Sequence, residues 1–198
     1  MLHPISFAVS FVLFFCLMYV VLAAADILPE TASVASDHIP ESSEDIVETA
    51  PELPVRIAAP AVGVNALVSN PDTTKIATLD AALLSGAVRY PSTAKLGEEG
   101  TMLVFGHSSR IPVVHNQNYK AFNNIQNLKK GETISVYSAN AEYRYKVTNV
   151  RIADATEDVI QLAQSGKHLV LVTCDSFTSK TSRFVVTAEL VGTYSLAN

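Results

Sequence analysis

Beyond Val55 the chain is punctuated into seven short β-rich runs, and no other feature limits its folds so strongly. They are VRIAA (55–59), VNALV (64–68), TMLVF (101–105), TISVY (133–137), EYRYKVTNVRI (142–152), HLVLVTC (168–174) and RFVVTAELVGTY (183–194). Each is rich in β-branched or aromatic residues. In the fifth, Tyr143, Tyr145 and Val147 alternate with Glu142, Arg144, Lys146 and Thr148, the pattern of a strand with one wet face. The seventh sets Phe184, Val186, Ala188 and Leu190 opposite Arg183, Thr187 and Glu189. Three short helices fit between the runs: Asp80 to Val88, ended near Pro91; Tyr119 to Lys130, stopped by Gly131; and Thr156 to Ser165, with Thr156 as N-cap and Gly166 after its end. Seven or eight strands with brief helices in a domain of about 140 residues predict a mainly β fold. A closed or nearly closed barrel fits better than a parallel α/β sheet.

Two other materials precede this domain. Ile5 to Ala25 reads ISFAVSFVLFFCLMYVVLAAA, 21 residues without a charge, which is about what a helix needs to cross ~30 Å of hydrocarbon. Ala23, Ala24 and Ala25 offer a cleavage site before Asp26, but the run exceeds the roughly 7–15 apolar residues of a secretory signal. The expectation is therefore an uncleaved transmembrane anchor over residues 1–25. Residues 26–54 hold eight acids, no base, and Pro29, Pro40, Pro51 and Pro54, so they read as a disordered, self-repelling spacer. All 14 Lys and Arg lie from Arg56 onward beside the other 11 of 19 acids, which puts residues 55–198 at 14 − 11 = +3 against −5 for the chain. That charge is too mild for a nucleic-acid partner and suits an anionic envelope surface.

Cys16 sits in the apolar run and Cys174 in the globular part, so the two are not expected to form a bridge. A single thiol in an exported domain either has a use or is packed away as a small hydrophobe, and both readings stand at this point. If HLVLVTC and RFVVTAEL are antiparallel neighbours joined by DSFTSKTS, Cys174 and Arg183 meet at one rim beside a polar loop. A fixed cation favours the thiolate, and a guanidinium also offers donors to an oxyanion. Thiol chemistry on acyl groups needs a proton carrier as well. Of five histidines, His3 precedes the apolar run, His38 lies in the spacer and His115 in a polar loop. His168 starts the strand that ends at Cys174, roughly 20 Å from it at ~3.3 Å per residue. His107 follows TMLVFG at a strand end, where a rim residue can reach a neighbouring strand.

The order His107, Cys174, Arg183, within FGHSS, LVTC and RFVVTAEL, resembles the sortase family, the cysteine transpeptidases of bacterial envelopes. RIAAPAVGVNALV resembles the family's opening strands, and FNNIQNLKKGETISVY its helix and strand after the histidine, so the likeness runs from about Val55 to Tyr194. One departure is visible: where the family has Thr-Leu-x-Thr-Cys, this chain has Val170-Leu171-Val172-Thr173-Cys174.

The resemblance implies a closed eight-stranded barrel held at the plasma membrane by a single-pass anchor, with the domain outside the cytoplasm. It implies that Cys174 attacks a C-terminal LPXTG-like sorting signal of an exported protein, giving a thioester, and that an amine of a peptidoglycan precursor or another protein takes the acyl group. His107 would carry the proton, Arg183 would steady the oxyanion, and Thr173 would help shape the substrate site. No aromatic lid motif and no second apolar segment is apparent, which favours a housekeeping or accessory anchoring role over pilus assembly. No cofactor or metal is expected: Glu98, Glu99, Glu157 and Asp158 read as solvated loop and helix-start charges rather than calcium ligands. The competing readings are an L,D-transpeptidase, which should show a Ser-x-Gly-Cys turn; a papain-like peptidase, whose nucleophile precedes its histidine; and a tethered, non-catalytic barrel with a structural thiol.

Overall fold

The computed structural model describes residues 11–18, 50–109, 112–154, 160, 162–174 and 182–196. Contacts divide the chain into two units, Met1–Ser42 and Ser43–Asn198. In the first, residues 11–18 are α-helical with exposed apolar side chains. Among the described residues, no helix is long and apolar enough to cross a membrane. The rest of the expected anchor, and the expected spacer up to residue 49, lie outside the described residues.

The second unit is a closed eight-stranded barrel. Its strands are β1 Arg56–Ala59, β2 Val64–Ser69, β3 Ala87–Arg89, β4 Gly100–Phe105, β5 Thr133–Tyr137, β6 Ala141–Asp154, β7 Lys167–Cys174 and β8 Ser182–Ser195. Around the barrel they run β1-β2-β3-β4-β7-β8-β6-β5 and back to β1. β2 with β3 and β4 with β7 are parallel, and the other neighbours are antiparallel. All seven runs read from the sequence are strands. The alternation holds where it was clearest: Tyr143, Tyr145 and Val147 are 1–2% exposed inside the barrel, and burial pushes the Tyr145 phenol pKa well up. Val186 and Ala188 join them in the same core. β6 and β8 pair along 14-residue strands with register shifts at Arg144/Tyr145 and Val147/Asn149. Such bulges raise the local twist that a small closed barrel requires.

Two helix expectations are corrected. The first helix is Ile76–Leu83, not Asp80 to Val88. Gly86, at φ +146° and so close that a Cβ would meet the Leu67 carbonyl oxygen at 2.4 Å, turns the chain into β3. Ala87 and Val88 are therefore strand residues, paired with Val68 and Ser69. The stretch from Tyr119 to Lys130 is two short 3-10 turns, Gln117–Lys120 and Ile125–Asn127, separated by Asn124 in the left-handed region at φ 68°. The third expected helix falls largely outside the described residues, and residues 162–165 are not helical.

Ordered contacts begin before the Val55 boundary read from the sequence. Glu52 and Leu96 exchange backbone hydrogen bonds of 3.0 and 2.9 Å. The Glu52 carboxylate accepts from Asn140 Nδ2 at 2.6 Å and from the Tyr143 hydroxyl at 3.2 Å. Bonds from Ser138 and Asn140 hold its pKa below the usual carboxylate value. This strap bonds Asn140 and Tyr143 near the end of β6 that pairs with Ser195, whereas Arg183 lies at the other end of β8.

Outside the barrel wall a second apolar layer forms. Val170, Val172, Val185 and Ala153 bury one another beneath Leu103, Phe105 and Ile160. The outer face of β7 and β8 is thus dry close to the rim.

Candidate active site

β4 carries the chain to His107 and fixes it there. β4 and β7 pair in parallel from Gly100↔Lys167 to Phe105↔Val172. The pairing runs past the strand end: Gly106 N donates to Val172 O at 3.1 Å, and the Thr173 hydroxyl donates to Gly106 O at 2.8 Å. Adjacent strands lie roughly 4.8 Å apart, so this continuation draws position 107 alongside the end of β7. On the other side of β7, Cys174 is the cross-strand partner of Arg183, the last pair of that ladder. Arg183 also faces Ala153 of β6. The strand ends bearing residues 107, 174 and 183 therefore stand at one barrel mouth on three successive elements, β4, β7 and β8. The loop 175–181 lies outside the described residues.

His107 is half-buried. Its carbonyl accepts from Phe122 N at 2.9 Å, and its ring lies 5.2 Å from that of Tyr119. Burial pushes the imidazole pKa below its ordinary 6.5, with the Asp80 carboxylate pulling the other way. Gly106 is needed for a close approach: a Cβ there would meet the Phe122 ring at 2.9 Å. Ser109 N donates to Asn123 Oδ1 at 2.8 Å while Asn123 Nδ2 donates to Ser109 O at 2.9 Å, which locks the loop beyond the histidine. The other histidines stand elsewhere. His115 is exposed, His168 sits at the start of β7 with Nε2 3.1 Å from Ser165 O, and His3 and His38 lie outside the described residues. Tyr119, Asp80 and Asn123 were not singled out in the sequence, although an aromatic twelve residues past the histidine was there to be noticed.

Thr173 is 3% exposed, and its hydroxyl donates to Gly106 O, which clips the histidine loop to β7. Thr173→Val, which keeps the shape and removes the donor, is expected to cost about 1–3 kcal/mol of unfolding free energy, because a buried carbonyl is left unsatisfied. It is also expected to lower turnover more than it weakens peptide binding. Denaturant melts and steady-state kinetics on one preparation check both.

Of the acids considered for calcium, Glu98 accepts from Lys95 N at 2.8 Å and Glu99 from Gly166 N at 2.7 Å, while Glu157 and Asp158 lie outside the described residues. Both glutamates thus tie loop backbone together around a polar recess of about 240 Å³ at the β4 start, away from His107. Among the described residues no group of three or more His, Cys, Asp or Glu could hold a metal.

Residues 57–191 match the sortase domain model. The chain is 33% identical over 140 residues to sortase A of Bacillus anthracis, covering 70% of this chain and 60% of that protein. It is equally identical over 140 residues to sortase A of Listeria monocytogenes, covering 71% and 57%. The match thus spans less than two thirds of those relatives. Among solved structures, sortase A of Listeria monocytogenes superposes with a TM-score of 0.59 at 31% identity, covering 74% of this chain and 93% of that one.

Proposed function

Since the chain belongs to the sortase family, we propose that it is a cysteine transpeptidase, held at the plasma membrane by Ile5 to Ala25 with its barrel outside the cytoplasm. The observation that carries the reading is the register: Cys174 pairs with Arg183 across β7 and β8, while Thr173 bonds the loop that bears His107. Thiol, imidazole and guanidinium can supply the nucleophile, the proton carrier and an oxyanion donor for acyl transfer through a thioester.

In the proposed reaction the Cys174 thiolate attacks the backbone carbonyl carbon of an LPXTG-like sorting signal on an exported protein. A C–S bond forms, and the carbonyl π pair moves onto oxygen, where Arg183 donates to it. Collapse of this intermediate breaks the C–N bond, and His107 gives its proton to the departing amine. A second amine, from a peptidoglycan precursor or another protein, then attacks the thioester and gives a proton to His107. The C–S bond breaks and the thiolate returns. Burial pushes the His107 pKa below its ordinary value, which disfavours the imidazolium that the departing amine needs. Thr173 acts by keeping the histidine loop against β7.

The test is mass spectrometry of the full chain incubated with LPXTG-type peptides and candidate amines. The expected result is an adduct of the acyl fragment on Cys174 that disappears when the amine is added, with a new peptide–amine product. Unchanged protein and intact peptides across the whole set would overturn the reading.

A further inference from the structure

The imidazole of His107 is seated by a segment clamped at both ends. Tyr119, whose ring lies 5.2 Å from the imidazole with the planes tilted by 42°, belongs to the 3-10 turn Gln117–Lys120. Asn116 caps that turn, its Oδ1 accepting from Asn118 N at 3.0 Å. The side-chain amides of Asn116 and Asn118 both donate to Leu84 O, at 2.7 and 2.9 Å, just past the helix Ile76–Leu83. Three residues beyond Tyr119, Phe122 N donates to the His107 carbonyl, and the fully buried Phe122 ring fills the space against Gly106. One clamp grips the helix end and the other grips the histidine backbone. The tyrosine is carried between them. An imidazole just past a strand end has two free torsions, so a fixed ring against it decides where its nitrogens point.

We propose that Tyr119 is a positioning residue for the acid–base step: its ring, held by the Asn116 and Asn118 clamp, sets the orientation and depth of the His107 imidazole. The proposal rests on His107 being the proton carrier. The ring does this work and the hydroxyl is dispensable. The same packing keeps water from the imidazole and so favours its neutral form. Asp80, on the helix that receives the clamp, is the charged group that opposes this. Lys120, beside the tyrosine, is turned to Pro112 O at 2.9 Å.

The experiment uses the full chain with Tyr119→Phe, Tyr119→Leu and Tyr119→Ala, and His107→Ala as reference. Peptide-transfer kcat and KM are measured, and the His107 ring is titrated by NMR. Tyr119→Phe is expected to stay within about threefold of the parent. Tyr119→Ala is expected to lose about ten- to a hundredfold in kcat, the scale of a small misplacement of a reacting group. Its KM should stay within about threefold, and its His107 titration should move up towards 6.5. Tyr119→Leu, which keeps apolar volume, guards against misfolding and should show the same loss in kcat. A folded Tyr119→Leu or Tyr119→Ala protein with parental kcat and an unmoved titration overturns the proposal. Transfer that survives His107→Ala removes the premise instead, and that outcome is visible without any Tyr119 variant.

Discussion

Cys174→Ala is expected to bring peptide transfer below detection and to leave no acyl adduct, while the barrel melts at nearly the parental temperature. The two halves of that expectation have separate causes. Covalent catalysis has no route once the nucleophile is gone, since positioning and oxyanion donors still lack an attacking atom of sufficient reactivity. Stability is spared because residue 174 joins the β7–β8 ladder through its backbone, paired with Arg183, and alanine preserves that pairing. A change at a strand end of this kind costs about 1 kcal/mol or less. The measurement is transfer rate, adduct mass and thermal midpoint in a Cys16→Ala background, so that position 174 bears the sole thiol. Alkylation in the same background distinguishes the non-catalytic barrel, whose packed thiol would resist reagent in the native state. Transfer persisting in Cys174→Ala would end the enzyme assignment.

What could be read from the sequence was what local chain geometry decides. The wet and dry faces of β6 were plain because 14 residues give the period-2 pattern room to repeat. The meeting of residues 174 and 183 followed from assuming one antiparallel pair joined by a short loop. Three-residue β3 carries no readable alternation, and it exists only because the chain turns at Gly86 and pairs in parallel with β2. The approach of the histidine loop to β7 was equally hidden, since β4 and β7 pair in parallel over 67 residues of separation, and a lone His after a strand does not name its neighbour. The Thr173 hydroxyl bond was hidden for the same reason, as its acceptor is 67 residues away. Tyr119 escaped because it was taken for the start of a helix. Asn124, in the left-handed region, breaks that helix and leaves the tyrosine in a turn beside the imidazole.

Arg183→Ala is expected to lower kcat/KM by about 10²–10³, equivalent to roughly 2.7–4 kcal/mol, the usual effect of deleting one donor to a developing oxyanion. The residue is the second of β8, between Cys174 on one side and Ala153 on the other, half-buried beside the apolar layer of Val172 and Val185. That setting limits water and raises the value of a fixed charge there. Arg183→Lys should recover only part of the loss, because an ammonium supplies the charge without the planar fork of donors. Alkylation rates of Cys174 against pH separate the two ways the guanidinium can act. If it works mainly by holding the thiolate, the midpoint of the alkylation curve rises in Arg183→Ala and the loss in acylation follows that rise. If it works mainly on the oxyanion, as proposed, the curve stays where it was while acylation falls. The register favours the second, because a side chain one strand away from the nucleophile stands where the carbonyl oxygen of an extended peptide can meet it. Full kcat/KM in Arg183→Ala would show that the cross-strand pairing with Cys174 is architecture alone.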